Sequence, residues 1–269
     1  MKTFVCALVA GACLALSGTT ALAQQTMTTV KERGKIIVGV KSDYRPFSFT
    51  DPSGAIIGME PDLVADLGKR LGVPVEFVPV TSANRIQFLQ QGKIDLIVAT
   101  MVILPERKKI IEISEPYYGG SANALTSKSN GFKAWEDLRG KPVCGYQGNI
   151  YNRRAVEEFG IHLVALKNAV EALAALKAGN CVAYLDDITT FGALLQDPEW
   201  QSYEAPLPQL DFEPWGMGAR KDDTEMLNAL NSAVADWHKT GFLIALEKKW
   251  KLPASQFLAE QNKRASAGH

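Results

Sequence analysis

The sequence predicts an α/β protein of two lobes, each a mainly parallel sheet flanked by helices, with a two-strand hinge between them. Three observations carry this. The order β-α-β-α-β occurs twice along the chain. The run "IDLIVATMV" (94–102) is apolar on both faces, as a central parallel strand covered on both sides must be. Finally, the C-terminal helices have no strands of their own stretch to cover, so they must return to an earlier sheet.

In order, "KIIVGVK" (35–41) is a β-branched strand ended by the turn "SDYRPF". "EPDLVADLGKRLG" (60–72) is a helix: Pro61 suits its first turn, Leu63, Val64, Leu67 and Leu71 share a face, and Gly72 stops it. "VPVEFVPV" is a strand, "SANRIQFLQQGK" a short helix ending at Gly92, and "IDLIVATMV" the central strand. The second unit repeats the plan: strand "KPVCGYQ", helix "YNRRAVEEFG", strand "IHLVAL", helix "NAVEALAALKAG", strand "CVAYLDD". Segments "LQQGKIDLIVAT" and "LKAGNCVAYLDD" even share a helix–Gly–strand register, an architectural likeness too common to prove duplication. After the extended, Pro-rich stretch 203–223, Leu227, Leu230, Val234 and Trp237 recur at helical spacing, and "TGFLIALEKKWKL" follows. These helices are expected to pack on the first sheet, with crossings near "NALTSK" and "WGMGARK". Residues 30–125 with 219–262 then form the first lobe and 126–218 the second, enclosing a cleft.

Composition bounds the function. The chain has 269 residues, 46% hydrophobic and 22% charged, with zero formal net charge, so nothing points to nucleic acid or an anionic membrane as partner. At the N-terminus, Lys2, the apolar "FVCALVAGACLAL" and the small-residue site "ALA" read as a signal peptide over 1–23, cleaved near Ala23. Export leaves Cys144 and Cys181 as the mature chain's cysteines. An oxidising compartment suggests a disulfide, with two unpaired core cysteines the alternative. No CxxC occurs and no histidine lies nearby, so a metal site is not expected.

In open α/β sheets, ligands bind beyond the carboxyl ends of the strands. There the first lobe offers Tyr44, Thr100 and Arg107, and the second offers Gly148 and Asn149 within "QGN", then Asp186 and Asp187. A cation faces carboxylates, which matches a zwitterion such as an α-amino acid; a guanidinium can hold a carboxylate bidentately. Each residue has a plainer alternative. Arg107 within "PERKK" reads equally as a solvated basic turn, Asp186 or Asp187 as a helix cap, and Tyr44 as a packed loop aromatic.

Over residues 30–255 the sequence resembles the periplasmic solute-binding proteins of ABC transporters for polar amino acids, the family 3 extracellular solute-binding proteins. The likeness lies in the order and spacing of "GKIIVGVKSDYRPFSF", "GAIIGMEPDLVADLGKRLG", "LQQGKIDLIVATMVILPERKKIIEISEPYY", "DLRGKPVCGYQGN" and "GNCVAYLDD". It implies the two-lobed periplasmic-binding-protein fold with hinge closure. It also implies a monomer that binds a small ligand without a cofactor in the periplasm and serves a membrane ABC permease. Arg107 and Thr100 would bind the ligand's α-carboxylate, helped by N–H groups of the loop 148–150, Asp186 its amino group, and Tyr44 its side chain. Val102 and Leu104 replace the family's hydroxyls, and Asn149 and Ile150 follow Gly148 where Thr is usual. Ser82 stands where many relatives carry an aromatic, and Lys41 where some carry an acid that reads a basic ligand. Lys41 thus argues against Lys, Arg or His as ligand and favours an acidic, polar or modified amino acid. The likeness also supports pairing of Cys144 with Cys181.

The expected role is non-enzymatic. The alternatives are an exported dehydratase acting on a prephenate-like acid, for which Asp186, Asp187 and Glu60 are the local acids, or a ligand-sensing module for a separate receptor. His162, His238 and His269 fall away from the strand ends, and no GxSxG is visible.

Overall fold

The computed structural model describes residues 26–267; the signal-peptide segment lies outside them. The chain enters through helix α1 (Thr26–Arg33) and strand β1 (Ile36–Val40). A small antiparallel sheet follows, made of β2 (Asp43–Tyr44), β3 (Ser48–Thr50) and β4 (Ile56–Ile57). Helix α2 (Met59–Leu71) buries Leu63, Val64 and Leu67 on one stripe. Its acids Glu60 and Asp62 open it and its bases Lys69 and Arg70 close it, matching the helix dipole, and Gly72 caps it in the left-handed region. Strand β5 (Val75–Pro79), helix α3 (Arg85–Gln90) and strand β6 (Leu96–Ile97) complete the first unit. Residues 94–99 are all at most 1% exposed, as the doubly apolar run requires.

Helix α4 (Pro105–Lys108) and strand β7 (Ile111–Ile113) lead to the ten-residue strand β8 (Tyr118–Ser127). The second lobe then runs β9 (Pro142–Tyr146), α5 (Tyr151–Phe159), β10 (His162–Leu166), α6 (Ala169–Lys177), β11 (Ala183–Asp187), α7 (Ile188–Leu194) and the short β12 (Tyr203–Glu204). Strands β13 (Phe212–Trp215) and β14 (Gly218–Arg220) return the chain, and α8 (Thr224–Thr240), α9 (Phe242–Lys249) and α10 (Gln256–Ser266) close it.

The first sheet has the order β5-β1-β6-β14-β7, with β14 antiparallel to both its neighbours. The second has the order β10-β9-β11-β8-β12, with β8 antiparallel to β11, β12 and β13. Each sheet is thus mainly parallel with one reversed strand. Strand β8 pairs with β11 from Ala122 to Thr126 and with β13 from Tyr118 to Ser121. The chain thus enters the β11 ladder of the second sheet at Ala122, after a ribbon with β13. The return runs through Trp215–Gly218, from β13 on β8 to β14 in the first sheet.

The closing helices sit on the first lobe, for a visible reason. Trp237 Nε1 donates to Asp66 and Trp250 Nε1 to Asp62, each at 2.6 Å, and Arg70 pairs with Asp236. The partners on the first lobe, Asp66, Asp62 and Arg70, all lie on α2. No described helix is long and apolar enough to cross a membrane. Cys144 on β9 and Cys181, just ahead of β11, form a disulfide with Cα atoms 5.6 Å apart, the span that neighbouring strands offer.

Candidate functional site

The carboxyl ends of β1, β6, β9 and β11 converge where the lobes meet. Thr100 follows β6 in a left-handed conformation, φ 46°. Glu60, fully buried on α2, holds it there by accepting the Thr100 N–H at 2.6 Å, and it accepts the Tyr117 hydroxyl as well. Burial pushes the Glu60 carboxyl up, opposed by Tyr117 and that N–H.

On the second lobe the two aspartates divide their work. Asp187 caps α7, accepting the N–H (3.0 Å) and hydroxyl (2.6 Å) of Thr189, and also the Tyr151 hydroxyl at 2.9 Å. Asp186 faces a ring of phenols. It accepts Tyr44 at 2.8 Å and Tyr146 at 3.2 Å, Asn149 at 3.4 Å, and Tyr184 through its other oxygen. Burial raises both carboxyls, Asp187 to about 7; Lys41 and Tyr184 oppose the rise at Asp186.

Two contacts join the lobes directly. The Tyr44 hydroxyl reaches Asp186, and the Lys41 ammonium reaches the Tyr146 hydroxyl at 3.4 Å while lying 3.5 Å from the Tyr44 ring centroid. Lys41 is 4% exposed; burial, then the Arg85 charge, lower it to about 8, against the pull of Asp186 and Glu60. Gly148, at φ 78°, sits so close to the Ser82–Ala83 backbone that a Cβ there would stand 2.7 Å from the Ala83 nitrogen. Beside a wider interlobe recess of about 530 Å³ lined by Tyr44, Phe49, Trp250, Tyr184, Asp186 and Phe191, the strand ends leave a cavity of about 20 Å³, room for roughly one water. At these strand ends the lobes are in direct contact.

Of the residues singled out from sequence, Tyr44, Ser82, Thr100, Gly148, Asn149, Asp186 and Asp187 line this cavity, and Lys41 lines an adjoining recess with Ser82 and Tyr146. Arg107 is not on the cavity wall. Its half-buried guanidinium donates to the Val102 carbonyl at 2.9 Å, and Val102 lines the cavity. The sequence reading passed over Tyr146, Tyr151 and Arg85, all on the wall. Tyr146 ends β9, so the strand-end rule that picked its neighbours covers it too. Arg85 opens α3 and carries no such signal. It is 2% exposed, donates Nη1 to the Ala99 carbonyl, and leaves Nε without a partner. Burial first, then Arg107, lower it to about 10. Among the described residues, no three His, Cys, Asp or Glu gather as metal ligands would.

Comparison with known proteins follows the same outline. Residues 36–253 match the family model of the bacterial extracellular solute-binding proteins, family 3. The ABC transporter glutamine-binding protein GlnH of Bacillus subtilis (strain 168) is 31% identical over 235 residues, covering 84% of this chain and 85% of that protein. The P235GK mutant of ArgBP from T. maritima superposes with a TM-score of 0.79 at 31% identity, covering 84% of this chain and 98% of the other. The ancestral amino acid-binding protein AncCDT-1, a precursor of cyclohexadienyl dehydratase, has a TM-score of 0.75 at 33% identity, covering 84% and 99%.

Proposed function

The chain belongs to the bacterial extracellular solute-binding proteins, family 3, and we propose that it captures an amino acid or a closely related small zwitterion between its lobes and hands it to a membrane ABC permease. The observation that carries this is the interlobe contact from Tyr44 to Asp186 at 2.8 Å, at the strand ends where such a ligand would sit. Closure on the ligand supplies the affinity, with no bond made or broken. The ligand's ammonium takes the place of phenolic donors on Asp186. Its carboxylate is met by the N–H groups of the Gly148–Asn149 loop and by Arg107, whose guanidinium keeps further donors beyond the one given to Val102. The relatives named for glutamine and arginine binding support the amino-acid class.

A thermal-shift panel on refolded, ligand-stripped protein tests this. A ligand at 100 times its Kd stabilises by about 2.7 kcal/mol, a visible shift. Arg107→Ala is expected to abolish that shift; an unchanged shift would move the carboxylate contact off Arg107.

The dehydratase precursor among the structural relatives, together with Asp187 raised to about 7 in the cleft, favours one second reading, an exported dehydratase. Against it, the Asp187 oxygens are engaged by Thr189 and Tyr151. Incubation with prephenate discriminates: product formation would support the enzyme.

A further inference from the structure

Beside the strand-end cavity the lobes leave a second, larger space. The recess of about 530 Å³ falls within the ~300–1,000 Å³ of small-molecule pockets, and both lobes wall it. Phe49 and Trp250 meet edge to face on the first lobe with centroids 6.0 Å apart, and Tyr184 and Phe191 do so on the second at 5.9 Å. Leu173 and Leu194 add alkyl surface to the second-lobe wall. The polar atoms of these walls are already engaged. Trp250 Nε1 donates to Asp62, the Tyr184 hydroxyl to Asp186 and the Thr190 hydroxyl to the Asp187 carbonyl. The walls therefore offer rings and alkyl groups to an occupant.

The charges around the recess are unevenly matched. Asp43, Asp186, Asp197 and Arg45 line it. The bases of the region rest on rings: the Arg45 guanidinium lies 3.9 Å from the Phe49 centroid, and the Lys41 ammonium 3.5 Å from that of Tyr44. Among the described residues neither base makes an ion pair within 4 Å, and neither does Asp43. Asp186 is satisfied by phenols and an amide, and Asp197 accepts the Glu199 N–H at 2.9 Å. Asp43 is half-buried. Burial raises its carboxyl; the Lys41 charge opposes that rise and Glu171 adds to it. A half-buried carboxylate without an ion-pair partner, beside aromatic walls, suits an organic cation: the acid takes the charge and the rings take the hydrocarbon.

We propose that this recess is a second ligand site, separate from the strand-end cavity, and that it takes a hydrophobic organic cation of the arylalkylamine class, its ammonium at Asp43 and its ring between the aromatic pairs of the two lobes. The proposal does not depend on which solute the strand-end cavity carries. An anion would meet three carboxylates and find both nearby bases already stacked on rings. A neutral molecule of the same shape would gain the burial but leave Asp43 without a counter-charge. Because the occupant touches both lobes, it favours the arrangement in which they meet.

Calorimetric titration of the refolded, ligand-stripped protein at pH 7 with phenethylamine, phenethyl alcohol and hydrocinnamate tests this. The three share a phenyl ring on a short chain and differ in charge. The amine is expected to bind about tenfold or more tightly than either of the others. Asp43→Asn should weaken the amine about tenfold, while the alcohol changes by less than about twofold. Leu173→Trp, which puts an indole into the recess, should abolish amine binding. Should that variant fold poorly, Val170→Trp, at an exposed position on the same wall, replaces it. Equal binding of the three compounds, or amine affinity unchanged by Asp43→Asn or by the tryptophan variant, would overturn the proposal. So would an amine that does not bind wild type at all.

Discussion

Replacing Lys41 by methionine is expected to stabilise the ligand-free protein at pH 7. The ammonium is 4% exposed, and burial is the main cause of its fall from 10.5 to about 8. Each tenfold change in proton affinity is worth about 1.4 kcal/mol, so holding this charge in the closed cleft costs about 3 kcal/mol. The contact with the Tyr44 ring returns roughly 0.5–2 kcal/mol. Methionine fills similar space without the charge, so a net gain of about 1–3 kcal/mol follows. The pH dependence separates this from a packing effect. Below pH 8 both folded and unfolded chains carry the charge and the penalty is whole. Between pH 8 and 10.5 the unfolded chain binds more protons, so wild-type stability rises with pH relative to the variant; above 10.5 the penalty is gone. Urea unfolding of both proteins at pH 7 and pH 10 reads the difference directly. A variant less stable than wild type at pH 7, or a gap of equal size at both pH values, would refute the reasoning.

Closure and the disulfide give two more expectations. Gly148→Ala places a Cβ 2.7 Å from the Ala83 nitrogen at a φ of 78°, costing about 1 kcal/mol of backbone strain and holding the lobes apart. Ligand affinity should fall about tenfold or more, and ligand-induced compaction in small-angle scattering should shrink; equal affinity would show that the lobes close without this contact. Reducing the Cys144–Cys181 bond, which spans 37 residues, should lower stability by about 3–4 kcal/mol in the chain-entropy model. An unfolding curve unchanged by reductant, or two free thiols in denatured, unreduced protein, would remove that contribution.

Where side-chain periodicity fixes an element, the sequence was a sufficient guide. Leu63, Val64 and Leu67 define α2, and the unbroken apolar run 94–99 defines the central strand of the first sheet. Strand β8 was harder to place because "YGGSANALTS" is small and weakly β-forming. Its partner is chosen by tertiary fit, with Gly120 leaving room for the Asp187 carboxylate. Thr100 was legible as a strand-end residue, but its left-handed turn was not. That turn is held by Glu60, which in sequence is an ordinary first-turn acid of α2.

Arg85 and Arg107 show why the cleft's charges resist a sequence reading most. Arg107 follows a buried strand and so draws attention, and folding gives its guanidinium the Val102 carbonyl as a partner. Arg85 opens a helix, a position where basic side chains are usually solvated, yet α3 packs so that its guanidinium meets the Ala99 carbonyl and the cavity. Composition counts both equally, because a half-buried and a fully buried guanidinium carry the same charge. Each gives one hydrogen bond to a carbonyl; what separates them is burial, since Arg85 is 2% exposed with its Nε unpartnered, and that is settled only when β6 ends beside α3. The same accounting explains the aspartates. Asp186 and Asp187 are adjacent on one strand, but alternation sends their side chains to different neighbours, Asp187 to the α7 cap and Asp186 to the interlobe tyrosines.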